Sequence, residues 1–391
     1  MVKLGLTVLL EDKLELIAGR SIGLITNSTG VNENLEDNIS LFCRHSGIHL
    51  KAIFAPEHGL WGTSQDAVPV SSFQYREMGK IPHTPGRTDI PVYSLYGDTR
   101  KPTGEMLEGI DILVFDIQDV GARFYTFIST MAMAMEACAE HGLSFVVLDR
   151  PNPIGSMALE GNILESEFRP FVGYFPIPIR YGTTIGELAR FFNNRFQIGA
   201  RLSVISMVGW RRDMWFDETG LPWVMPSPNM PTLTTATVYP GTCLFEGTNI
   251  SEGRGTTRPF ELIGAPWIDG WRLADELNGL SLAGVKFRLV YFTPTFAKYR
   301  DQLCGGVQLH VVDTEEFKPV RVALNIIEII RRIYPHEFRW RSGDRPFFDL
   351  LMGTDKVRKQ LSNGESADRI IRSWEDELAD FSEIRRSYLL Y

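Results

Sequence analysis

Short apolar runs that alternate with helical patterns constrain this chain more than any other feature. The runs are Ile22 to Thr26, Leu50 to Ala55, Ile110 to Asp116 and Ser144 to Asp149. They are nearly continuous rather than alternating, which is how strands read when both faces of a sheet are covered. Between the last two, Phe124 to His141 reads as a helix rich in Met and Ala, closed by Gly142 at the C-cap position. Strand, helix and strand in that order make a βαβ unit, so the first half of the chain is expected to be α/β, with a doubly wound, mostly parallel sheet.

Downstream, a helix is expected from Thr183-Thr184 through Glu187 to Asn193, then a strand at Leu202 to Ser206. From Trp210 to Pro266 the chain carries many Pro, Gly and Thr residues with little periodicity and reads as loop-rich, the kind of segment in which binding residues concentrate. The pattern then resets: a helix near Trp271 to Leu280, strands at Val285 to Phe292 and Val307 to Val312, and a strong helix from Val320 to Ile333. Two domains are expected, 1–262 and a smaller α/β domain over 263–391.

At 391 residues, 44% of them hydrophobic, the chain has enough apolar surface for a sizeable core. A net charge of -8 argues against a nucleic-acid partner, whose affinity rests on clustered cations. Cys43, Cys138, Cys243 and Cys304 are far apart and match no zinc, redox or disulfide spacing. No stretch is apolar enough to span a bilayer, and the N-terminus meets Glu11-Asp12 before any signal-like core forms. A cytoplasmic protein with no membrane partner is expected. A chain trimmed of an export signal, and so secreted or periplasmic, would look the same.

Open parallel sheets bind ligands at the carboxyl ends of their strands. Those ends here read Thr26-Asn27-Ser28-Thr29-Gly30, Pro56-Glu57-His58-Gly59, Asp116-Ile117-Gln118-Asp119-Val120-Gly121-Ala122-Arg123 and Asp149-Arg150-Pro151-Asn152-Pro153. Glu57 and His58 precede Gly59 and Gly62, which allow a tight turn beside a ligand, and a screened carboxyl there suits general-acid work. A surface Glu in an ordinary turn is the plain alternative. Asp116, Gln118, Asp119, Arg123 and Tyr125 suit metal ligation, acid/base chemistry or a sugar-hydroxyl clamp, and their spacing does not separate these. Helix capping by Asp119 with Arg123 in a surface ion pair accounts for part of the set. Asn152 and Asn229 lie beside prolines that hold their amides rigidly, although a simple Pro-Asn turn explains either alone.

The polar stretch from Glu246 through Asn249, Glu252 and Arg254 to Arg258 lacks a P-loop ending, and its two Glu residues would repel phosphate. A substrate loop in which Glu246 or Glu252 supplies a second carboxylate fits better, because most glycosidases flank one bond with two carboxyl groups. No dinucleotide fingerprint follows the first strand, and there is no H-E-x-x-H or G-x-S-x-G motif. No cofactor or metal is expected.

Read together, Gly23 to Asn27, Pro56 to Gly59, Pro91 to Gly97, Phe115 to Gly121, Asp149 to Pro153, Glu246 to Asn249 and Glu252 to Thr256 resemble the NamZ-type exo-β-N-acetylmuramidases over nearly the whole chain. The resemblance implies a Rossmann-like N-terminal domain, a smaller C-terminal domain and an active site in the cleft between them. It also implies release of N-acetylmuramic acid from the non-reducing end of peptidoglycan fragments, with Glu57 in the position of the proposed catalytic glutamate. Ser156 stands where a second glycine is usual, and secreted relatives carry an export segment. On this reading His58 orients Glu57; Asp116, Asp119, Glu246 or Glu252 is the second carboxylate; and Arg123, Arg150 or Arg254 reads the lactyl carboxylate of the sugar. Two other functions remain open: a metal-dependent amidohydrolase using His58, Asp116 and Asp119, and a non-catalytic muropeptide-binding protein.

Overall fold

The computed structural model describes residues 1–66, 68–75 and 90–391. The main sheet has seven strands, β1 (Ser21–Thr26), β2 (His49–Ala55), β3 (Phe73–Tyr75), β4 (Ile90–Ser94), β5 (Ile112–Asp116), β6 (Ser144–Leu148) and β7 (Arg201–Ile205), in the order β3-β4-β2-β1-β5-β6-β7. Every pairing is parallel except that of β3 on β4.

Side chains alternate across the strands, and in the inner strands both faces are apolar, whereas the edge strands β3 and β7 expose residues such as Phe73, Arg201 and Ser203. Phe54, Leu113, Phe115, Phe145 and Val147 pack toward the face covered by α3 (Phe127–His141) and α4 (Ile185–Arg195). Ile53, Ile112, Val114, Val146 and Leu148 pack toward α1 (Gly5–Asp12) and α2 (Asn38–Arg44). This two-sided burial is why the strands read as continuous runs, and each fully buried Leu or Phe contributes about 1.5–3 kcal/mol. Helix α3 ends at Gly142 in the left-handed conformation (φ 69°), and α4 starts with a Thr184–Glu187 capping box.

The stretch from 210 to 266 is less irregular than expected. It contains α5 (Leu233–Thr242) and β8 (Leu262–Ala265). Beyond it come α6 (Gly270–Gly279), β9 (Val285–Phe292), β10 (Cys304–Val311) and α7 (Pro319–Ile333), with β8, β10 and β9 forming a three-stranded antiparallel sheet. Helix α5 escapes a sequence reading because it is rich in Thr and includes Pro240 and Gly241, all poor helix formers. Packing against α7 holds it: a Cβ at Gly241 would stand 1.9 Å from the Pro319 carbonyl oxygen, so only glycine allows this approach.

After α7 the chain forms α8 (Phe347–Met352), α9 (Lys356–Ser362), α10 (Ala367–Arg372) and α11 (Glu375–Arg385). The first three are too short to show a helical period in sequence. Among the described residues no helix is long and apolar enough to cross a membrane. Helix α8 packs on the short 3-10 turn Cys243–Gly247, and both face the carboxyl end of β2 across a shared cavity.

Candidate active site

In this sheet the chain winds outward in both directions from the β1/β5 pair, and a crevice is normally open at such a switch point. Here polar side chains fill it. Asp116, fully buried at the end of β5, accepts from Arg150 Nε at 2.6 Å and from Asn38 Nδ2 at 2.7 Å. Arg150 also donates to the Val31 carbonyl. Asn27 accepts from the Thr29 amide and hydroxyl, Gln118 donates to the carbonyls of Asp119 and Pro151, and Asn152 donates to the Thr183 carbonyl. The space left beside Thr29, Gln118 and Arg150 is about 20 Å³, too small for a sugar.

The open site lies one strand over, at the end of β2. Glu57 is 7% exposed, and its Oε2 accepts from Thr126 Oγ1 at 2.5 Å. Thr126 is the N-cap residue of α3 but spends its hydroxyl on Glu57 rather than on the helix. The Tyr96 phenol also hydrogen-bonds Glu57, and burial together with that carboxylate pushes its pKa up, so it stays a donor. His58 (φ 70°), Gly59 (77°) and Gly62 (65°) all take the left-handed conformation, turning the chain sharply away from the strand. Burial pushes the His58 pKa down despite the adjacent Glu57. The neutral ring pairs Nδ1 with the Ser64 carbonyl at 2.8 Å; a carbonyl only accepts, so Nδ1 carries the proton and Nε2 the lone pair.

Glu57 and His58 line a cavity of about 290 Å³ with Asp66, Tyr96, Arg100, Tyr125, Phe171, Asn229, Glu246 and Arg254. Arg254 organises its far wall: Nη1 lies 3.0 Å from Asp66, Nη2 2.7 Å from Glu246 and Nε 3.6 Å from Glu252. Burial works against the guanidinium charge, but Glu246, Asp66 and Glu252 outweigh it and hold Arg254 protonated. Burial pushes the Glu246 pKa up, partly offset by Arg254. Glu252 is different: burial is outweighed by Lys298, 2.9 Å away, and by Arg254, so its pKa is held down. Asp66, Glu246 and Arg254 also border a second cavity of about 690 Å³, lined further by Asn249, Glu252 and Lys298.

Of the residues singled out from sequence, the structure thus brings Glu57, His58, Tyr125, Asn229, Glu246 and Arg254 together, with Glu252 and Asn249 in the adjoining chamber. Asn27, Asp116, Gln118, Asp119, Arg123, Arg150 and Asn152 line neither cavity. Asp119 accepts from the Gly121 amide and the Tyr181 phenol, and burial pushes its pKa up to about 7. It caps no helix. Arg123 is fully buried and donates to the carbonyls of Asn162, Ile177, Leu351 and Met352, so the surface ion pair gives way to an internal clasp. The sequence reading did not pick out Asp66, Arg100 or Thr126, which belong to no motif; Tyr96 lay inside the Pro91 to Gly97 segment but carried no assigned role. Among the described residues no three His, Cys, Asp or Glu side chains group to hold a metal ion. His58, Asp116 and Asp119, the ligands an amidohydrolase reading requires, each have separate partners.

Residues 22–234 match the N-terminal domain, and residues 237–391 the C-terminal domain, of the family described as exo-β-N-acetylmuramidase NamZ. The chain is 50% identical over 390 residues to the peptidoglycan β-N-acetylmuramidase NamZ of Bacillus subtilis (strain 168), covering 100% of this chain and 91% of that one. It belongs to the NamZ family. Two crystal structures of DUF1343 family proteins from Bacteroides fragilis NCTC 9343 share the fold, with TM-scores of 0.89 and 0.78 at 37% and 32% identity. Each covers 100% of this chain and 99% of the other. The serine that departs from the NamZ pattern costs no backbone strain: Gly155 takes the positive φ (71°), whereas Ser156 is not among the residues that do.

Proposed function

We propose that this chain is an exo-acting β-N-acetylmuramidase that releases N-acetylmuramic acid from the non-reducing end of peptidoglycan fragments, with Glu57 as general acid and Glu246 as its partner. The observation that carries this reading is that both carboxyl groups line one small cavity in a chain of the NamZ family. The Bacillus subtilis relative, named a peptidoglycan β-N-acetylmuramidase, points to the same substrate class. At about 290 Å³ the cavity is at the small end of ligand sites, on the scale of one substituted sugar ring, as removal of a terminal residue requires.

Glu57 protonates the glycosidic oxygen as the bond from C1 breaks, with Thr126 and Tyr96 fixing its position. Glu246 takes a proton from the water that attacks C1. Burial pushes its pKa up, and Arg254, which donates to it at 2.7 Å, opposes that shift, holds the carboxylate in place and favours its ionised, base form. Glu252, locked between Lys298 and Arg254, keeps that guanidinium oriented. The direct test is incubation with a muramyl-glucosaminyl disaccharide and identification of the released sugar. Glu246→Gln should lower turnover of both that disaccharide and an aryl β-muramide by about 10²–10⁴-fold. A loss confined to the disaccharide would move the acid role from Glu57 to Glu246.

The lactyl carboxylate needs a cation. Arg123 and Arg150 lie outside the cavity, and Arg254 already faces three carboxylates. Arg100 lines the cavity, stacks 4.2 Å from the Phe171 ring centroid, and pairs with no carboxylate among the described residues. Its planar edge suits a bidentate contact. Arg100→Ala is expected to cut the preference for muramyl over glucosaminyl aryl glycosides by about tenfold, near 1.4 kcal/mol. An unchanged ratio of kcat/KM values would return that role to another group.

A further inference from the structure

The segment 294–301 between β9 and β10 is held in an unusual conformation. Ala297 (φ 64°), Tyr299 (56°) and Asp301 (60°) all occupy the left-handed region that side-chain-bearing residues avoid. Such strain persists only where surrounding contacts enforce it, and it concentrates at ligand clamps. The contacts here are specific. Lys298 Nζ donates to the carbonyls of Phe245 and Ile250 and to Glu252 Oε2, at 2.7, 2.9 and 2.9 Å. Tyr299 Oη donates to the Asn249 carbonyl at 2.6 Å, and the Thr295 amide and hydroxyl both reach the Gly255 carbonyl. A Cβ at Gly255 would lie 2.5 Å from the Phe296 carbonyl oxygen, so the Gly-rich loop carrying Arg254 is shaped to seat this segment.

Phe296 is what this arrangement presents. It is 36% exposed, makes no ring contact with another aromatic among the described residues, and lines the larger cavity, which adjoins the Glu57 chamber through Asp66, Glu246 and Arg254. We propose that this second chamber binds the leaving-group side of the substrate, and that Phe296 is the platform on which the N-acetylglucosaminyl ring next to the scissile bond stacks. The proposal rests on the muramidase reading of the Glu57 site. A pyranose offers an apolar face of C–H groups to an aromatic ring, and its hydroxyls would lie within a rim of polar side chains such as Asn249 and Ser342.

The test compares a muramyl-glucosaminyl disaccharide with an aryl β-muramide, whose small leaving group does not need the platform. Phe296→Ala should raise KM for the disaccharide about tenfold while changing kcat/KM for the aryl muramide less than about twofold, and Phe296→Trp should restore the disaccharide KM. Equal effects on the two substrates, or none on the disaccharide, would overturn the assignment while leaving the muramidase reading intact. Wild-type protein that cleaves neither substrate would sink both.

Discussion

Glu57→Gln is expected to lower turnover of a muramyl-glucosaminyl disaccharide by about 10³-fold while slowing an aryl β-muramide with a good leaving group by less than about tenfold. Glutamine keeps the volume of the side chain and the hydrogen bond from Thr126, so folding and binding should survive and KM should change little. What disappears is the proton. A sugar oxygen needs it to depart, whereas a nitrophenolate does not, so the two substrates report on the acid separately from the rest of the site. Steady-state kinetics on both substrates provide the check. An equal loss on both would mean that Glu57 stabilises positive charge at C1 and that the acid lies elsewhere, with Glu246 next in line.

The second large effect is on stability. Arg123→Met, which keeps the length and most of the volume of the side chain, is expected to cost about 4 kcal/mol or more, because four buried carbonyls lose a charged donor together. Burial already pushes the Arg123 pKa down to about 9, a measure of how much the carbonyl cage must offset. The four acceptors come from the segments around Asn162 and Ile177 and from the end of α8, so the guanidinium ties the C-terminal helices to the sheet domain. For a chain of this length the thermal midpoint should fall by about 5 °C. At temperatures where the variant remains folded, its muramyl preference should match the wild type. A normal midpoint with lost preference would instead make Arg123 a substrate-reading residue.

Glu57 could be found because it follows directly on a strand whose apolar run stops at Pro56, with Gly59 just beyond, and strand ends converge whatever the rest of the chain does. The same logic promoted Asp116, Gln118, Arg150 and Asn152, which also end strands or follow them. Arg150 is spent on Asp116, and Gln118 and Asn152 on backbone carbonyls; nothing in their spacing reveals that Arg150 reaches Asp116 at 2.6 Å. Asp66, Arg100 and Thr126 carry the opposite lesson, since their importance comes only from which carboxylate or ring they meet. Helix α5 was hidden for a related reason: its residues have low helix propensity, and burial against α7 supplies what propensity does not.

By itself, then, the sequence determined the doubly wound sheet, the βαβ unit closed at Gly142, the family, and Glu57 as the residue to build on. All of these are written in local periodicity, caps and contiguous motifs. Tertiary structure alone decided that the switch-point crevice is filled and that Glu246 rather than Asp116 or Asp119 shares the cavity with Glu57. It also decided that Arg254 faces three carboxylates while Arg100 pairs with none among the described residues. The physical reason is that a polar side chain acts through its partners, and in a chain this long those partners are set by long-range packing rather than by neighbours in sequence.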